Sequence, residues 1–258
     1  MSKKKKYDFI FSIGEACACT QGLRKSDLQL GSFPFDWMYG GNFGVRIDVF
    51  LNHFTQFINK EDLVFLNKTN NDPKNLCNIY QNKKNGLTFN HDFKTNVDFD
   101  KMYDEVAAKY SRRIKRLFEN IDKAQSILLV YQEATITETK LSDDSILLEA
   151  LDKIKSKYPQ KKINILYIAS DLSMKPGTYK EYEISENITK VVGNYKEIKA
   201  NAPAHAVLVK FFKKYYKNYS LNMPLLKRLK IILQRLIIRN IPIRKLRYDL
   251  REKYHITY

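Results

Sequence analysis

The sequence predicts an α/β protein: a Rossmann-like three-layer arrangement with a mostly parallel central sheet, an inserted hairpin and a helical, basic C-terminal tail. Three observations lead to it. Apolar runs of strand length occur at Phe9–Ile13, Ser126–Gln132 and Lys162–Ala169, and unbroken apolar runs suit strands covered on both faces. Segments with helical periodicity lie among them at Val45–Ile58, Phe99–Ile121 and from Ser142 to Lys157. Strand, helix and strand of these lengths make a βαβ unit with a right-handed crossover. The third observation is a shift in charge past residue 202, which separates an α/β thiol-site domain (1–202) from a basic helical extension (203–258).

The bulk properties narrow the class. The chain has 258 residues, 44% hydrophobic and 13% aromatic, which excludes a disordered protein. It contains no apolar run near the ~18 residues of a membrane span. The opening Met1–Lys6 is not followed by a signal-peptide core, because Asp8 interrupts it. A cytoplasmic location is expected. Three cysteines are too few and too poorly spaced for a disulfide framework. The net charge is +17, and from His205 to Tyr258 fourteen Lys and Arg face two acids, Asp249 and Glu252. Acidic partners are therefore a question about the tail alone.

Taken in order, Phe9–Ile13 reads as a buried strand, Gly14 as a turn, and Cys17 as opening a helix. A thiol there sits among unpaired backbone N–H groups at the positive end of the helix dipole, which favours thiolate. Glu15 opposes this by holding the proton on. Equally, Cys17 reads as a small buried hydrophobe sealing a strand–helix contact. The loop Leu30–Asn42 holds Phe33, Phe35 and Trp37 and is expected to fold back over the first strand–helix turn. Asp36, flanked by aromatics, needs a partner if buried, and Arg24 fits. Val45–Ile58 predicts one core-facing helix, with His53 beside its apolar stripe as a structural histidine.

Asn67–Asn75 reads as an exposed loop. Leu76–Gln81 and Leu87–His91 predict a hairpin turning at Asn85-Gly86. Strand alternation puts Phe89, His91 and Phe93 on one face and Asn90 and Asp92 on the other. Such a histidine is either neutral and hydrogen-bonded in the core or lines a pocket. Phe99–Ile121 predicts a helix with Met102, Val106, Tyr110, Ile114, Leu117 and Phe118 inward. Ligands in open sheets of this kind collect at the carboxyl ends of the strands, here Gly14–Cys17, Gln132–Thr135 and Ser170-Asp171. Leu172–Asn201 reads as irregular short strands. In the tail, Leu225–Arg239 puts Leu225, Leu226, Leu229, Ile232, Leu233, Leu236 and Ile237 on one arc and basic residues opposite. That is the pattern of a helix lying on an anionic membrane surface or docked on the domain. Nucleic acid fits poorly, because the interleaved residues are aliphatic rather than stacking aromatics.

Three separated blocks carry a resemblance. Ser12–Cys17 with Leu23-Arg24 and Pro34–Trp37, then Phe54–Phe57 before Glu61–Leu63, then Gly86–Phe93 resemble a bacterial family labelled putative papain-like cysteine peptidases. Its members pair a Ser-Leu-Gly-x-x-Cys block and a Pro-Phe-Asp-Trp block with a later Phe-x-His-Asp-Phe block. The resemblance covers roughly Asp8 to Ala169. It implies Cys17 as nucleophile and His91 as its base, with Asp36 or Asp92 orienting the imidazole. Backbone N–H groups at Glu15–Cys17 would form an oxyanion hole, with Ser12, Gly14 and Trp37 in the substrate-binding surround. No metal-ligand spacing is present and no cofactor is called for.

The leading expectation is thiol acyl chemistry on a peptide or amide bond. One rival keeps the nucleophile in an acyltransferase of bacterial surface polysaccharide biosynthesis, docked at the inner membrane face through Leu225–Arg239. A third is a non-catalytic surface-assembly partner in which Cys17 is structural. The sequence leaves the oligomeric state open.

Overall fold

The computed structural model describes residues 5–29, 31–68, 76–134, 143–194 and 203–218, with a few positions between Leu233 and Leu250. In chain order the elements are β1 (Lys5–Tyr7), β2 (Phe9–Ser12), α1 (Cys17–Lys25), a 3₁₀ turn (Pro34–Trp37), β3 (Met38–Tyr39), α2 (Phe43–Leu51), a second 3₁₀ turn (Lys60–Asp62) and β4 (Leu63–Lys68). There follow β5 (Cys77–Asn82), β6 (Thr88–Lys94), α3 (Phe99–Lys123), β7 (Ser126–Gln132), α4 (Asp144–Lys157), β8 (Lys162–Ser170), β9 (Tyr179–Ser185), β10 (Ile188–Gly193), α5 (Pro203–Tyr215) and β11 (Tyr216–Asn218).

The central sheet has the order β2-β7-β8-β10-β9. Its first four strands run parallel, and β9 closes one edge antiparallel to β10. Alternation along the strands divides the interior in two. Phe9, Phe11, Leu129, Tyr131, Ile165 and Tyr167 feed one core with residues of α2, α3 and α4. Ile10, Leu128, Val130, Leu166 and Ile168 feed another with Leu23 of α1 and Leu208, Phe211 and Phe212 of α5. Helices thus cover both faces, in the three layers expected. β1 and β11 form a separate parallel pair, so the 203–218 segment lies against the body through both α5 and β11.

A second, antiparallel sheet has the order β3-β6-β5-β4. Its β5–β6 hairpin turns where expected: Asn82 N–H donates to Leu87 O at 2.8 Å, and Gly86 takes φ +68°, a conformation glycine adopts without strain.

Three expectations are corrected. The helix over Val45–Ile58 stops at Leu51. The N–H of Phe54 donates to Val49 O at 2.9 Å and that of His53 to Phe50 O at 3.1 Å, a Schellman closure with His53 at φ +53°. Phe54 and Phe57 still reach the core, carried there by a turn rather than a helix. Second, Leu172–Asn201 is not irregular throughout, since β9 and β10 complete the central sheet.

The third correction concerns β6. Asn78 pairs with Phe93 and Tyr80 with Phe89, so the register shifts between them, and β6 carries extra residues across that interval. Phe89 and Phe93 both remain buried, but His91 is exposed and Asp92 is turned inward. Of the amphipathic arc over Leu225–Arg239, most lies outside the described residues, as does most of the Asn67–Asn75 loop.

Candidate active site at the carboxyl edge of the parallel sheet

Cys17 stands where β2 gives way to α1. Its helix starts from Ala16, in an extended conformation without a side-chain cap, so the first turn offers backbone N–H groups and the positive helix end to whatever lies beside it. Cys17 is half-buried. Burial pushes its thiol pKa up, while hydrogen bonds from the Cys17 and Ala18 backbone N–H groups pull the other way and do not fully offset it. The brake on ionisation is therefore desolvation rather than Glu15. The Glu15 carboxylate turns aside to accept the Tyr131 hydroxyl proton and the Ala134 N–H at 3.0 Å.

The backbone donors expected at Glu15–Cys17 are partly committed. Glu15 N–H donates to Gln132 O at 3.0 Å, continuing the β2–β7 ladder. Ser12 is buried, and its hydroxyl accepts Gly14 N–H at 3.2 Å, so both residues build the turn itself. Cys19 is buried with its Sγ at 3.6 Å from Val130 O, and burial raises its pKa to about 12.

Asp36 is fully buried and saturated. It accepts from Arg24 at 2.9 Å, Thr20 at 3.2 Å, the Gln29 amide at 2.9 Å and Phe33 N–H at 2.9 Å. The guanidinium of Arg24 also lies 4.9 Å from the Trp37 ring centroid. The aspartate therefore pins the Pro34–Trp37 turn to α1, with Arg24 as the cation the sequence suggested. Asp92 is buried against α3, ion-paired with Lys109 and accepting the Tyr110 hydroxyl at 2.9 Å. Among the described residues no hydrogen bond or ion pair joins His91 to Cys17, Asp36 or Asp92.

The comparisons with known proteins apply to this same stretch. Residues 8–172 match the family described as Putative papain-like cysteine peptidase (DUF1796). The chain belongs to that family. The matched residues run from β2 to the end of β8 and include Cys17, Asp36, His91 and Asp92. An "Uncharacterized protein R408" of Acanthamoeba polyphaga mimivirus is 25% identical over 148 residues, which is 52% of this chain and 65% of that protein. The chain thus covers a little less than two thirds of that relative. No solved structure matches.

Within the region shared with the papain-like family, two residues acquire roles the sequence did not assign: Arg46, which it did not single out, and Gln132, which it marked only as the start of a strand-end segment where ligands collect. Arg46, in the first turns of α2, is fully buried. It donates to Gly14 O at 2.7 Å, Gly40 O at 2.7 Å and Gly41 O at 2.9 Å, tying the Cys17 turn to the Gly40-Gly41 loop. Burial lowers its pKa to about 10, with Tyr131 and Glu15 opposing, so it stays cationic at neutral pH. The available signal was an arginine between Val45 and Ile47 in an apolar helical run. Gln132 is the other. It ends an apolar strand, and its side-chain amide is buried with neither Nε2 nor Oε1 bonded.

A third group lines the other face of the same edge. Glu133 accepts Tyr167 O–H at 2.6 Å and Ser170 N–H at 3.2 Å. Burial, reinforced by the nearby Glu15 charge, raises its pKa. Tyr131 and Tyr167 stack at 4.9 Å, with Phe43 edge-on to both. Among the described residues no cluster of His, Cys, Asp or Glu could hold a metal ion.

Proposed function

We propose that this member of the family is a cysteine hydrolase acting on a peptide or amide bond, with Cys17 as nucleophile. The observation that supports this most directly is the position of the Cys17 sulfur. It is half-buried, at the uncapped N-terminus of α1, held by backbone N–H groups, on the edge of a parallel sheet where such folds place their chemistry. In this reading the thiol proton passes to a base and the thiolate attacks the acyl carbon. The carbonyl pair moves onto oxygen, and collapse expels the amine with the proton returned by the base. Water then cleaves the thioester on Cys17. We take His91 as that base because its Phe-x-His-Asp-Phe block resembles the family's, and its exposed position on β6 lets it serve from the solvent side. An acyl acceptor other than water would use the same nucleophile.

The test is acylation of the full chain by p-nitrophenyl acetate, followed by peptide mapping. Wild-type protein is expected to carry an acetyl adduct on Cys17, Cys17→Ser none at that thioester position, and His91→Ala to acylate about a hundredfold more slowly. Because burial raises the Cys17 pKa, its iodoacetamide rate should keep climbing past about pH 8.5, the ordinary cysteine value. A wild-type protein that never acylates would overturn the assignment. Unchanged acylation in His91→Ala would remove the base from it.

A second feature belongs to the same proposal. Leu233 and Ile237, on the apolar arc of the tail, are 57% and 63% exposed. Together with the tail's positive charge, they favour docking on an anionic membrane surface.

A further inference from the structure

The side chain of Gln132 is 3% exposed, yet both its amide nitrogen and its amide oxygen lack a partner. Burying an amide without hydrogen-bond partners is costly, and here donor and acceptor are both left open. Its direction follows from the strand. Leu128 and Val130, four and two residues earlier on β7, belong to the core beneath α1 and α5, so the next side chain in that alternation points to the same face. Its neighbour across the ladder is the Cys17 turn: Glu15 N–H donates to Gln132 O at 3.0 Å, and a Cβ on Gly14 would lie 3.1 Å from Gln132 N. On β8, Leu166 and Ile168 face the same way, and the next residue in that series, Ser170, is 6% exposed with its hydroxyl also unbonded.

Three unbonded polar atoms therefore lie on one face of the carboxyl edge, beside a helix N-terminus that no side chain caps. We propose that Gln132 is a further catalytic residue, which with Ser170 seats the reacting amide of the substrate against Cys17. Nε2 donates to the carbonyl oxygen of the scissile bond, and Oε1 accepts the substrate's N–H. When Cys17 Sγ bonds to the carbonyl carbon, the π pair moves onto the oxygen, and the Gln132 N–H and the positive end of α1 stabilise the charge. Collapse re-forms the carbonyl and breaks the C–N bond, and the amine leaves with the proton taken from the thiol. The donor–acceptor pair also favours one substrate class: an amide satisfies both atoms, whereas an ester engages Nε2 alone, so an activated ester such as p-nitrophenyl acetate still draws on the oxyanion donor without the second contact. This inference rests on the cysteine-hydrolase reading.

Two reactions of Cys17 separate the inference from that reading. Acylation by p-nitrophenyl acetate passes through an oxyanion, while alkylation by iodoacetamide is a direct displacement and does not. Full-length Gln132→Met and Gln132→Glu are compared with wild type, the first retaining side-chain volume and the second its shape. Both are expected to lose about a hundredfold in the acylation-to-alkylation ratio with alkylation kept within about twofold. In Gln132→Glu the ratio should partly recover as pH falls and the carboxyl regains an O–H donor, an effect a merely structural role would not produce. Ser170→Ala should lower the ratio less. Ratios unchanged in both Gln132 variants, or acylation and alkylation falling in parallel, would overturn the seat while leaving the nucleophile in place. Wild-type protein that alkylates at Cys17 but never acylates would overturn both.

Discussion

At the scale of single residues, Gly14 shows how tightly the nucleophile's turn is built. A Cβ there would come within 2.6 Å of Cys19 Cβ and 3.0 Å of its Sγ, closer than real contacts allow, so α1 can approach β7 only because this position carries no side chain. Gly14→Ala is expected to destabilise the fold by about 1–3 kcal/mol, read from the urea midpoint, and to slow Cys17 acylation by displacing α1. Unchanged stability would mean that α1 has room the structure does not show. The same scale separates two aspartates that look alike in sequence. Asp36 joins turn to helix through Arg24, while Asp92 joins a strand to α3 through Lys109 and Tyr110.

At the scale of elements, β6 is decisive. Strict alternation would place His91 in the core with Phe89 and Phe93, yet the register shift between β5 and β6 turns Asp92 inward and His91 outward. Burial alone would raise the Asp92 pKa, but the cations of Lys109 and Arg113 and the hydrogen bonds from Lys109 and Tyr110 lower it on balance. A carboxylate with a depressed folded pKa contributes stability above its unfolded value, about 3.9. That contribution is lost as pH falls through the lower folded value. Urea midpoints should therefore drop as pH is lowered below about 4, and Asp92→Asn should flatten that drop while costing roughly 3 kcal/mol near neutrality. An identical acid profile in the variant would show that the pair does not anchor β6 to α3. A shift that redirects one side chain per strand cannot be read from alternation, because it depends on what the partner strand presents.

At the scale of the whole molecule, α5 packs on α1 over one face of the central sheet, contributing Leu208, Phe211 and Phe212 to that core, while most of the net charge of +17 is carried beyond residue 202. Co-sedimentation with vesicles of phosphatidylserine and phosphatidylcholine tests what the end of the tail does. Full-length protein should pellet with anionic vesicles and lose this in high salt, and a chain ending at Met223, which keeps α5 and β11, should remain in the supernatant. Equal pelleting of the two would place any membrane contact elsewhere or nowhere.

The layers were legible in the order of the residues. Phe9–Ile13, Ser126–Gln132 and Lys162–Ala169 had to be buried strands because almost nothing polar interrupts them. The helices predicted over Phe99–Ile121 and from Ser142 to Lys157 follow from periodicity, and in the structure Asp98 and Asp143 cap them, all of them local effects. The position of Cys17 at a helix start was equally local. Three features came instead from packing between distant segments: Arg46 clamps the Cys17 turn, His91 faces solvent, and Gln132 ends its strand with an unanswered amide. Burial and hydrogen-bond satisfaction are set by residues far apart in the chain, so no local pattern could have carried them.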